Sequence, residues 1–148
     1  MIAYYDGIAT QYQKIYDRPV KHINVYTYLS LISNVAGQSI LDLGCGAGYY
    51  TRMFKPSAKY VLGVDISEKM IEIARQEEAR EPLGIEYLVG DVLELGEMGS
   101  HFDLVVASFL LHYAQTEEQL LEMCRNIYAN LTIMLRVSSP QQMKNVPA

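Results

Sequence analysis

Short apolar runs alternate along the chain with segments whose apolar residues recur at helical spacing. The runs have the length and composition of β-strands. They cover residues 39–43, 60–65, 85–89, 102–107 and 132–137. Strands that alternate with helices predict an α/β fold, in which parallel strands are joined by helices on both faces of the sheet.

Helix signals occur before and between these runs. Helices are expected over residues 4–16, 20–35, 68–80 and 117–130. Ser67 is a suitable N-cap for the third of them, and Pro82 and Gly84 end it. Thr116 and Gln119 form a capping box that opens the fourth.

The composition is that of one folded domain. The chain has 148 residues, of which 50% are hydrophobic and 20% are charged, so it can bury one sizeable core and is not intrinsically disordered. Its formal net charge of −5 disfavours nucleic acid as a main partner, because a protein that binds a phosphate backbone normally carries a basic face. The same charge does not hinder a cationic ligand.

The cysteines and the N-terminus predict a cytoplasmic protein. Cys45 and Cys124 lie far apart and have no metal-ligand spacing, so both are expected to be reduced thiols and no metal site is expected. The first six residues lack the basic and apolar segments of a signal peptide. The longest apolar run, Leu104 to Leu111, is too short to span a bilayer, so no membrane partner is expected.

A glycine-rich turn follows the first predicted strand, in Ile40-Leu-Asp-Leu-Gly-Cys-Gly-Ala-Gly48. Gly44, Gly46 and Gly48 allow the backbone to turn sharply and to approach a ligand closely. Cys45 is interpreted as a small residue that fits this turn and not as a nucleophile, since no neighbour in sequence would activate its thiol.

The spacing of these glycines argues against a nicotinamide cofactor. The dinucleotide fingerprint needs a third glycine five residues after its first. Counted from Gly44, that position is Tyr49, and counted from Gly46 it is Thr51. Asp42 precedes the first glycine, where a carboxylate would repel a pyrophosphate but suits a cation.

Acidic residues end the next two predicted strands. Asp65 closes the second strand, 21 residues after Gly44 (65 − 44), about where an acid that binds ribose hydroxyls is expected. Asp91 ends the third strand, where its carboxylate could accept a hydrogen bond from an adenine amino group. Each acid has an alternative interpretation as ordinary turn or helix-cap chemistry. Three strand ends that all carry an acid favour a ligand site at the carboxyl edge of the sheet.

From Ser39 to Leu131 the sequence resembles the class I S-adenosylmethionine-dependent methyltransferases. The matching elements are LDLGCGAG, VDIS, GDV and FDLVVASFLLHYA. The resemblance implies a Rossmann-like, doubly wound and mainly parallel sheet, with S-adenosylmethionine as cofactor and S-adenosylhomocysteine as product. The opening residues 4–12 are similar to the N-terminal helix that lies over the cofactor in many members.

The resemblance also implies roles for individual residues. The glycine loop would cradle the methionine part of the cofactor, and Asp65 would hold the ribose hydroxyls. Asp91 and Val92 match the positions that read adenine, and Ile66 matches the one that packs on its face. The full set of expected cofactor-binding residues is Tyr12, Asp42, Gly44, Cys45, Gly46, Gly48, Asp65, Ile66, Met70, Asp91, Val92 and Ser108.

The expected organisation is a helical cap over residues 1–36, a cofactor-binding core over 37–137 and an irregular tail over 138–148. Family members usually place a Lys-Pro-Gly-Gly turn before the fifth strand and add a helix and an antiparallel strand pair after it. Here Thr132 follows the preceding helix directly, and the strand pair is expected to be absent. The fifth strand would then be an exposed edge, through which a homodimer could form.

His112 is the candidate catalytic residue, because it follows the fourth strand beside the expected position of the methyl group. A neutral imidazole could take a proton from the acceptor or orient it. The alternative is a histidine packed under the cofactor with one satisfied nitrogen. The expected function is methyl transfer to a nitrogen or oxygen of a small molecule by in-line displacement. Residues 79–87 and 110–114 also look like toxoflavin-synthase-type enzymes, which methylate ring nitrogens of small heterocycles.

Other functions stay open. One is a non-catalytic or truncated S-adenosylmethionine-binding module that needs a partner or a second copy to complete the acceptor pocket. Another is a nicotinamide-dependent oxidoreductase, which the glycine spacing disfavours. A nucleic-acid methyltransferase is disfavoured by the charge and by the lack of an Asn/Asp-Pro-Pro-aromatic motif.

Overall fold

A computed structural model of the chain describes residues 34–99 and 101–132, together with positions 25, 26, 30 and 32. The strands are β1 (Ser39–Leu43), β2 (Tyr60–Asp65), β3 (Glu86–Val89) and β4 (Leu104–Val106). The helices are α1 (Tyr49–Phe54), α2 (Glu68–Arg80) and α3 (Glu117–Ala129), with a short 3₁₀ helix at Leu111–Tyr113.

The four strands form one parallel sheet in the order β3-β2-β1-β4. In its centre Leu41 lies between Leu62 of β2 and Val105 of β4. Because the strands are parallel, all four carboxyl ends lie at the same edge of the sheet. The predicted α/β fold with a parallel sheet is therefore confirmed.

Helices cover both faces of this sheet. On one face Ile40 packs with Phe54 of α1 and Ile71 of α2. On the other face Leu41 packs with Met123 of α3. Burying a large aliphatic or aromatic side chain contributes about 1.5–3 kcal/mol. These two layers therefore stabilise the packing of the helices on the sheet.

The helix caps are those that the sequence predicts. The Ser67 hydroxyl accepts a hydrogen bond from the Met70 N–H at 3.2 Å, and the Thr116 hydroxyl accepts one from the Gln119 N–H at 3.2 Å. The Gln119 side chain accepts from the N–H of Gln115, one residue earlier than a capping box requires.

Helix α1 is an element that the sequence pattern does not predict. It begins directly after Gly48, which has a left-handed backbone (φ 79°) and makes no side-chain cap. A helix of six residues without a cap residue carries none of the signals by which a helix start is recognised.

Strand β4 is shorter than its predicted range of 102–107. Phe102 instead forms an isolated parallel bridge to Leu131. The Phe102 N–H donates to the Asn130 carbonyl at 2.8 Å, and the Thr132 N–H donates to the Phe102 carbonyl at 2.8 Å. The chain thus leaves α3 beside β4 and runs parallel to it, as the start of a fifth strand requires.

Asn130 makes the junction where the family resemblance led us to expect a glycine-rich turn. Its side-chain Nδ2 donates to the carbonyls of Gly96 at 2.7 Å and Asn126 at 2.8 Å, and its Oδ1 accepts from the Met98 N–H at 3.0 Å. Asn130 is fully buried. The end of α3 is therefore fixed by side-chain bonds to the connection before β4.

Two predicted regions lie outside the described residues: the first helix at 4–16, and the fifth strand beyond Thr132 with its tail. The homodimer through that strand and the missing strand pair stay predictions, as do the boundaries 1–36, 37–137 and 138–148. Positions 25, 26 and 30 of the second predicted helix are helical, but positions 32, 34 and 35 are not, so its predicted end at 35 is wrong. No helix among the described residues is long and apolar enough to cross a membrane.

The outer edge of β3 carries a basic side chain. Arg75 of α2 donates two hydrogen bonds to the carbonyl of Tyr87, from Nη2 at 2.6 Å and from Nε at 3.2 Å. Without these bonds the carbonyl would point away from the sheet, and no neighbouring strand among the described residues could donate a hydrogen bond to it.

Candidate functional site

The glycine loop, residues 44–48, is fastened to the end of β2. The N–H groups of Gly44 and Cys45 donate to the carbonyl of Val64 at 2.8 and 3.1 Å. Gly44, Gly46 and Gly48 all have positive φ angles, of 73°, 55° and 79°. A side chain would strain the backbone at each of them, which is the physical reason for three glycines in five residues.

The two sides of this loop differ in how much free space the described residues leave around them. A Cβ built on Gly46 would have no atom within 4 Å, so the loop is open there. A Cβ on Gly48 would overlap the hydroxyl of Tyr87 and lie 2.9 Å from its Cζ. The loop therefore has an open side that can receive a ligand and a closed side that rests on protein.

Asp65 joins the glycine loop to the end of β2. Its Oδ2 accepts from the Gly46 N–H at 2.8 Å, and its Oδ1 accepts from the Ser67 N–H at 2.9 Å. The bond to Ser67 is the turn chemistry foreseen as the alternative, but the bond to Gly46 holds the carboxylate at the loop. A carboxylate oxygen can accept more than one hydrogen bond, so this position also suits ligand hydroxyls.

The end of β3 lies next to Asp65. The Gly90 N–H donates to the Asp65 carbonyl at 2.9 Å. Asp91 makes a local turn in which its Oδ1 accepts from the Leu93 N–H at 2.9 Å, as its alternative interpretation foresaw. Val92 is 5% exposed, and its carbonyl accepts from Asn126 of α3, so its side chain belongs to the core. Recognition of adenine by Asp91 and Val92 stays a prediction.

Asp42 lies beneath the loop rather than on its open side. The carboxyl group is 3% exposed, and its Oδ2 accepts from the Thr51 hydroxyl at 2.6 Å. Burial raises the pKa of Asp42 to about 7, and the charge of Asp65 adds to this while the bond from Thr51 opposes it. Asp42 thus ties β1 to α1, and Thr51 is a partner that the sequence analysis did not identify.

Tyr87 is a second residue that the sequence analysis missed. It pairs with Gly63 in the sheet register, and its ring covers that glycine, where a Cβ would lie 2.8 Å from the ring. Its buried hydroxyl makes no hydrogen bond within the described residues. Burial raises the pKa of Tyr87. The signal that could have revealed it is Gly63, since glycine inside a strand often marks a close approach.

The remaining residues near the loop are packed to different depths. The Cys45 Sγ donates to the Gly46 carbonyl at 3.5 Å, and burial raises the pKa of this thiol well above its usual range, so it stays protonated. Met70 is 2% exposed and packs with Ile73 against the loop residue Ala47. Met70 therefore supports the loop from below.

Ile66 and Ser108 are both half-buried. They lie directly after β2 and β4, at the carboxyl edge where the cofactor is expected. Tyr12 lies outside the described residues. Among the described residues no group of three or more His, Cys, Asp and Glu side chains could hold a metal ion.

His112 lies in the loop that follows β4. Its ring is exposed and contacts that of Tyr113 in a tilted arrangement, with the ring centroids 4.1 Å apart and the ring planes at 39°. Leu110 of the same loop is buried against the glycine loop, where a Cβ on Gly44 would lie 3.3 Å from its Cδ1. The imidazole is thus carried at the carboxyl edge, beside the glycine loop and outside the protein core.

Glu78 and Arg52 form an ion pair that supports the site. The Oε1 of Glu78 accepts from the N–H groups of Leu83, Gly84 and Ile85, and its Oε2 accepts from Arg52 of α1 at 2.7 Å. Partial burial acts to raise the pKa of Glu78, but these four donors outweigh it and hold the pKa below its ordinary value. The connection before β3 is thereby fixed to α1.

Comparisons with known proteins agree with this architecture. A family model described as a methyltransferase domain matches residues 40–132. The malonyl-[acyl-carrier protein] O-methyltransferase of Serratia marcescens is 29% identical over 112 residues, which are 76% of this chain and 38% of that protein. The chain spans about half or less of the length of the first curated relatives that it matches.

Two solved structures are similar. The N-methyltransferase NodS from Bradyrhizobium japonicum WM9, in complex with S-adenosyl-L-homocysteine, is 25% identical with a TM-score of 0.71, and the match covers 80% of this chain and 60% of that one. An S-adenosylmethionine-dependent methyltransferase from Mesorhizobium loti is 36% identical with a TM-score of 0.59, over 70% of this chain and 46% of that one.

Proposed function

The chain belongs to the methyltransferase-domain family, and from that membership we propose that it binds S-adenosylmethionine at the carboxyl edge of its sheet and methylates a small molecule. The acceptor atom would be a nitrogen or an oxygen. The products would be the methylated acceptor and S-adenosylhomocysteine. The narrower resemblance to toxoflavin-synthase-type enzymes would make the acceptor a ring nitrogen of a heterocycle.

One observation carries the proposal: Asp65 lies between the glycine loop and the end of β3, with a hydrogen bond to each. Its carboxylate accepts from Gly46, and its carbonyl accepts from Gly90. The glycine loop, the acid and the Asp91 turn therefore follow one another along the edge in the order β1, β2, β3. The cofactor has a matching order of parts, an amino acid, a ribose and an adenine.

The assigned roles follow this order. The open side of the loop at Gly46 would receive the methionine part, because no atom of the described residues lies within 4 Å of a Cβ built there. Asp65 would accept from the ribose hydroxyls. Asp91 and the Val92 N–H would meet the adenine edge, with Ile66 against its face.

When bound, the cofactor supplies a methyl group that is already activated on a positive sulfonium. The protein has to align the acceptor opposite the sulfur and to exclude water, which is worth at most about 7–11 kcal/mol of the barrier. His112 would orient the acceptor or take the proton that the attacking nitrogen or oxygen gives up. The exposed position of its ring beside Tyr113 suits that role.

The test is calorimetric titration of S-adenosylmethionine and S-adenosylhomocysteine into the wild-type chain and into Asp65→Ala. Loss of charge-assisted hydrogen bonds to the ribose should weaken both ligands about ten- to hundredfold. Asp103→Ala is the matched control, because Asp103 is an exposed acid at the opposite edge, bonded to the Ser39 N–H.

Three outcomes would count against the proposal. They are no binding by a folded wild-type chain, equal effects of the Asp65 and Asp103 substitutions, and binding of NAD(H) instead. Binding without methyl transfer would favour the alternative of a binding module whose acceptor pocket needs another chain. We also place the protein in the cytoplasm, in keeping with Cys45 and Cys124, which are both free thiols.

A further inference from the structure

The loop after β4, residues 107–113, turns across the carboxyl edge of the sheet and rests on the glycine loop. Its contact is Leu110, whose side chain is buried against Gly44. Whatever this loop presents to solvent is therefore presented beside the proposed cofactor site.

Phe109 holds a backbone conformation that its residue type disfavours. Its φ is 53°, and among the described residues it is the one residue other than glycine with a positive φ. A bulky side chain in this region is an outlier, because Cβ approaches the following carbonyl. Glycine or asparagine would make the same turn at lower cost.

Within the described part of the chain, the ring of Phe109 makes little contact that would offset this cost. It is 75% exposed, whereas its neighbour Leu110 is 9% exposed. The left-handed turn thus directs Leu110 down onto the glycine loop and leaves the Phe109 ring in solvent. Strain of this kind at an exposed residue is commonly found at ligand sites.

We propose that Phe109 contacts the methyl acceptor and that this acceptor carries a flat, conjugated ring. The inference rests on the proposed function and adds the chemical class of the acceptor. An exposed phenyl ring offers a π face and no charge or hydrogen bond, so it favours flat rings over aliphatic groups of similar size. His112 and Tyr113, whose rings contact each other at a tilt of 39° in the same loop, add two more aromatic surfaces.

The experiment compares phenol with cyclohexanol as probes, by saturation-transfer NMR on the full chain with saturating S-adenosylhomocysteine. Phenol should bind to the wild-type chain more tightly than cyclohexanol, and Phe109→Gly should weaken phenol about three- to tenfold, as expected for a lost aromatic pair. Tyr128→Ala is the control, because Tyr128 is another largely exposed ring (63%), on α3 and away from this loop. It should leave phenol binding unchanged.

Two further readouts separate this inference from the proposed function. Phe109→Gly should keep the affinity for S-adenosylhomocysteine within about twofold, since Leu110 and not Phe109 contacts the glycine loop. It should also raise the Tm by about 1–4 °C, because the relief of the left-handed strain outweighs the entropy that glycine adds to the unfolded chain.

The inference is overturned if phenol binds Phe109→Gly as well as it binds the wild type, or if cyclohexanol and phenol bind alike. It is also overturned if the strain is absent, so that Phe109→Gly lowers the Tm. If the wild-type chain binds no S-adenosylhomocysteine in the same samples, the proposed function has failed instead.

Discussion

The loops that follow β1 and β4 lie side by side at the same edge of the sheet but are built in opposite ways. The glycine loop uses glycine at each left-handed position and is fastened by N–H bonds to Val64 and Asp65. The loop after β4 turns at the strained Phe109 and leaves that ring and His112 exposed. The difference suits two kinds of ligand. The rigid glycine loop suits a cofactor that stays the same, and the exposed side chains of the other loop suit an acceptor that can differ from one enzyme to another.

The largest loss of stability is expected from Gly48→Ala, which adds a methyl group on the closed side of the glycine loop. The new methyl group would overlap the Tyr87 hydroxyl and would also sit at a φ of 79°. The two costs together should lower the free energy of unfolding by about 2–5 kcal/mol, measured by urea denaturation.

Gly46→Ala is the matched control for this change. It has a positive φ but open space around the new methyl group, so it should cost only about 1–2 kcal/mol. Combining Gly48→Ala with Tyr87→Phe should recover part of the loss, because the hydroxyl is the atom in closest conflict. Equal costs for the two alanine variants would show that the closed side does not constrain the loop.

A smaller effect is expected from pH acting on Asp42 under the same loop. Burial, with a contribution from Asp65, raises the pKa of Asp42 to about 7, whereas the unfolded chain should have a pKa of about 4. Between these values the folded protein binds more protons than the unfolded one, so its stability falls as pH rises from about 4 to 7.

Asp42→Asn should remove this dependence, because an amide does not ionise. Between pH 5 and pH 8 the free energy of unfolding of the wild type, measured by urea denaturation, should fall by about 1–3 kcal/mol more than that of Asp42→Asn. The same loss in both proteins would mean that Asp42 is not the group responsible.

An effect no larger than that of Asp42 is expected from Glu78→Gln, at the residue that fixes the connection before β3 to α1. The amide keeps an acceptor but loses the charge that binds Arg52 and three N–H groups, and the side chain is 15% exposed. The free energy of unfolding should fall by about 1–3 kcal/mol at pH 7. The control is Glu122→Gln, whose exposed pair with Arg125 should contribute less than about 0.5 kcal/mol.

The contribution of Glu78 should also depend on pH. Because its pKa is lowered in the folded state, the contribution is present above the ordinary value of 4.5 and is lost as pH falls through the folded value. This is contradicted if the free energies of unfolding of the wild type and of Glu78→Gln differ by the same amount at pH 7 and at pH 3.

The central strands could be predicted because their residues are buried on both faces. Strands β1 and β2 have the predicted bounds, since continuous apolar runs mark strands inside a parallel sheet. The glycine loop and Asp65 were found for the same reason: they follow strands directly. Helix α1 was missed because Gly48 gives it no cap.

Other features could not be predicted because they depend on residues far apart in sequence. Asn130 bonds to Gly96, 34 residues away, and Tyr87 lies over Gly63 of the next strand. The side of the loop on which Asp42 lies follows only once Thr51 is known to lie in a helix there. The period of two does place Asp42 on the same face as Ile40, which was a signal available in the sequence.

The two hydrogen bonds from Arg75 to the Tyr87 carbonyl have a consequence for how this sheet can be extended. A strand docking against β3 would first have to displace a guanidinium group from that carbonyl. On the opposite side Phe102 already pairs with Leu131 in the parallel sense. Among the described residues, backbone pairing therefore continues on the side of β4, whereas Arg75 occupies the edge of β3.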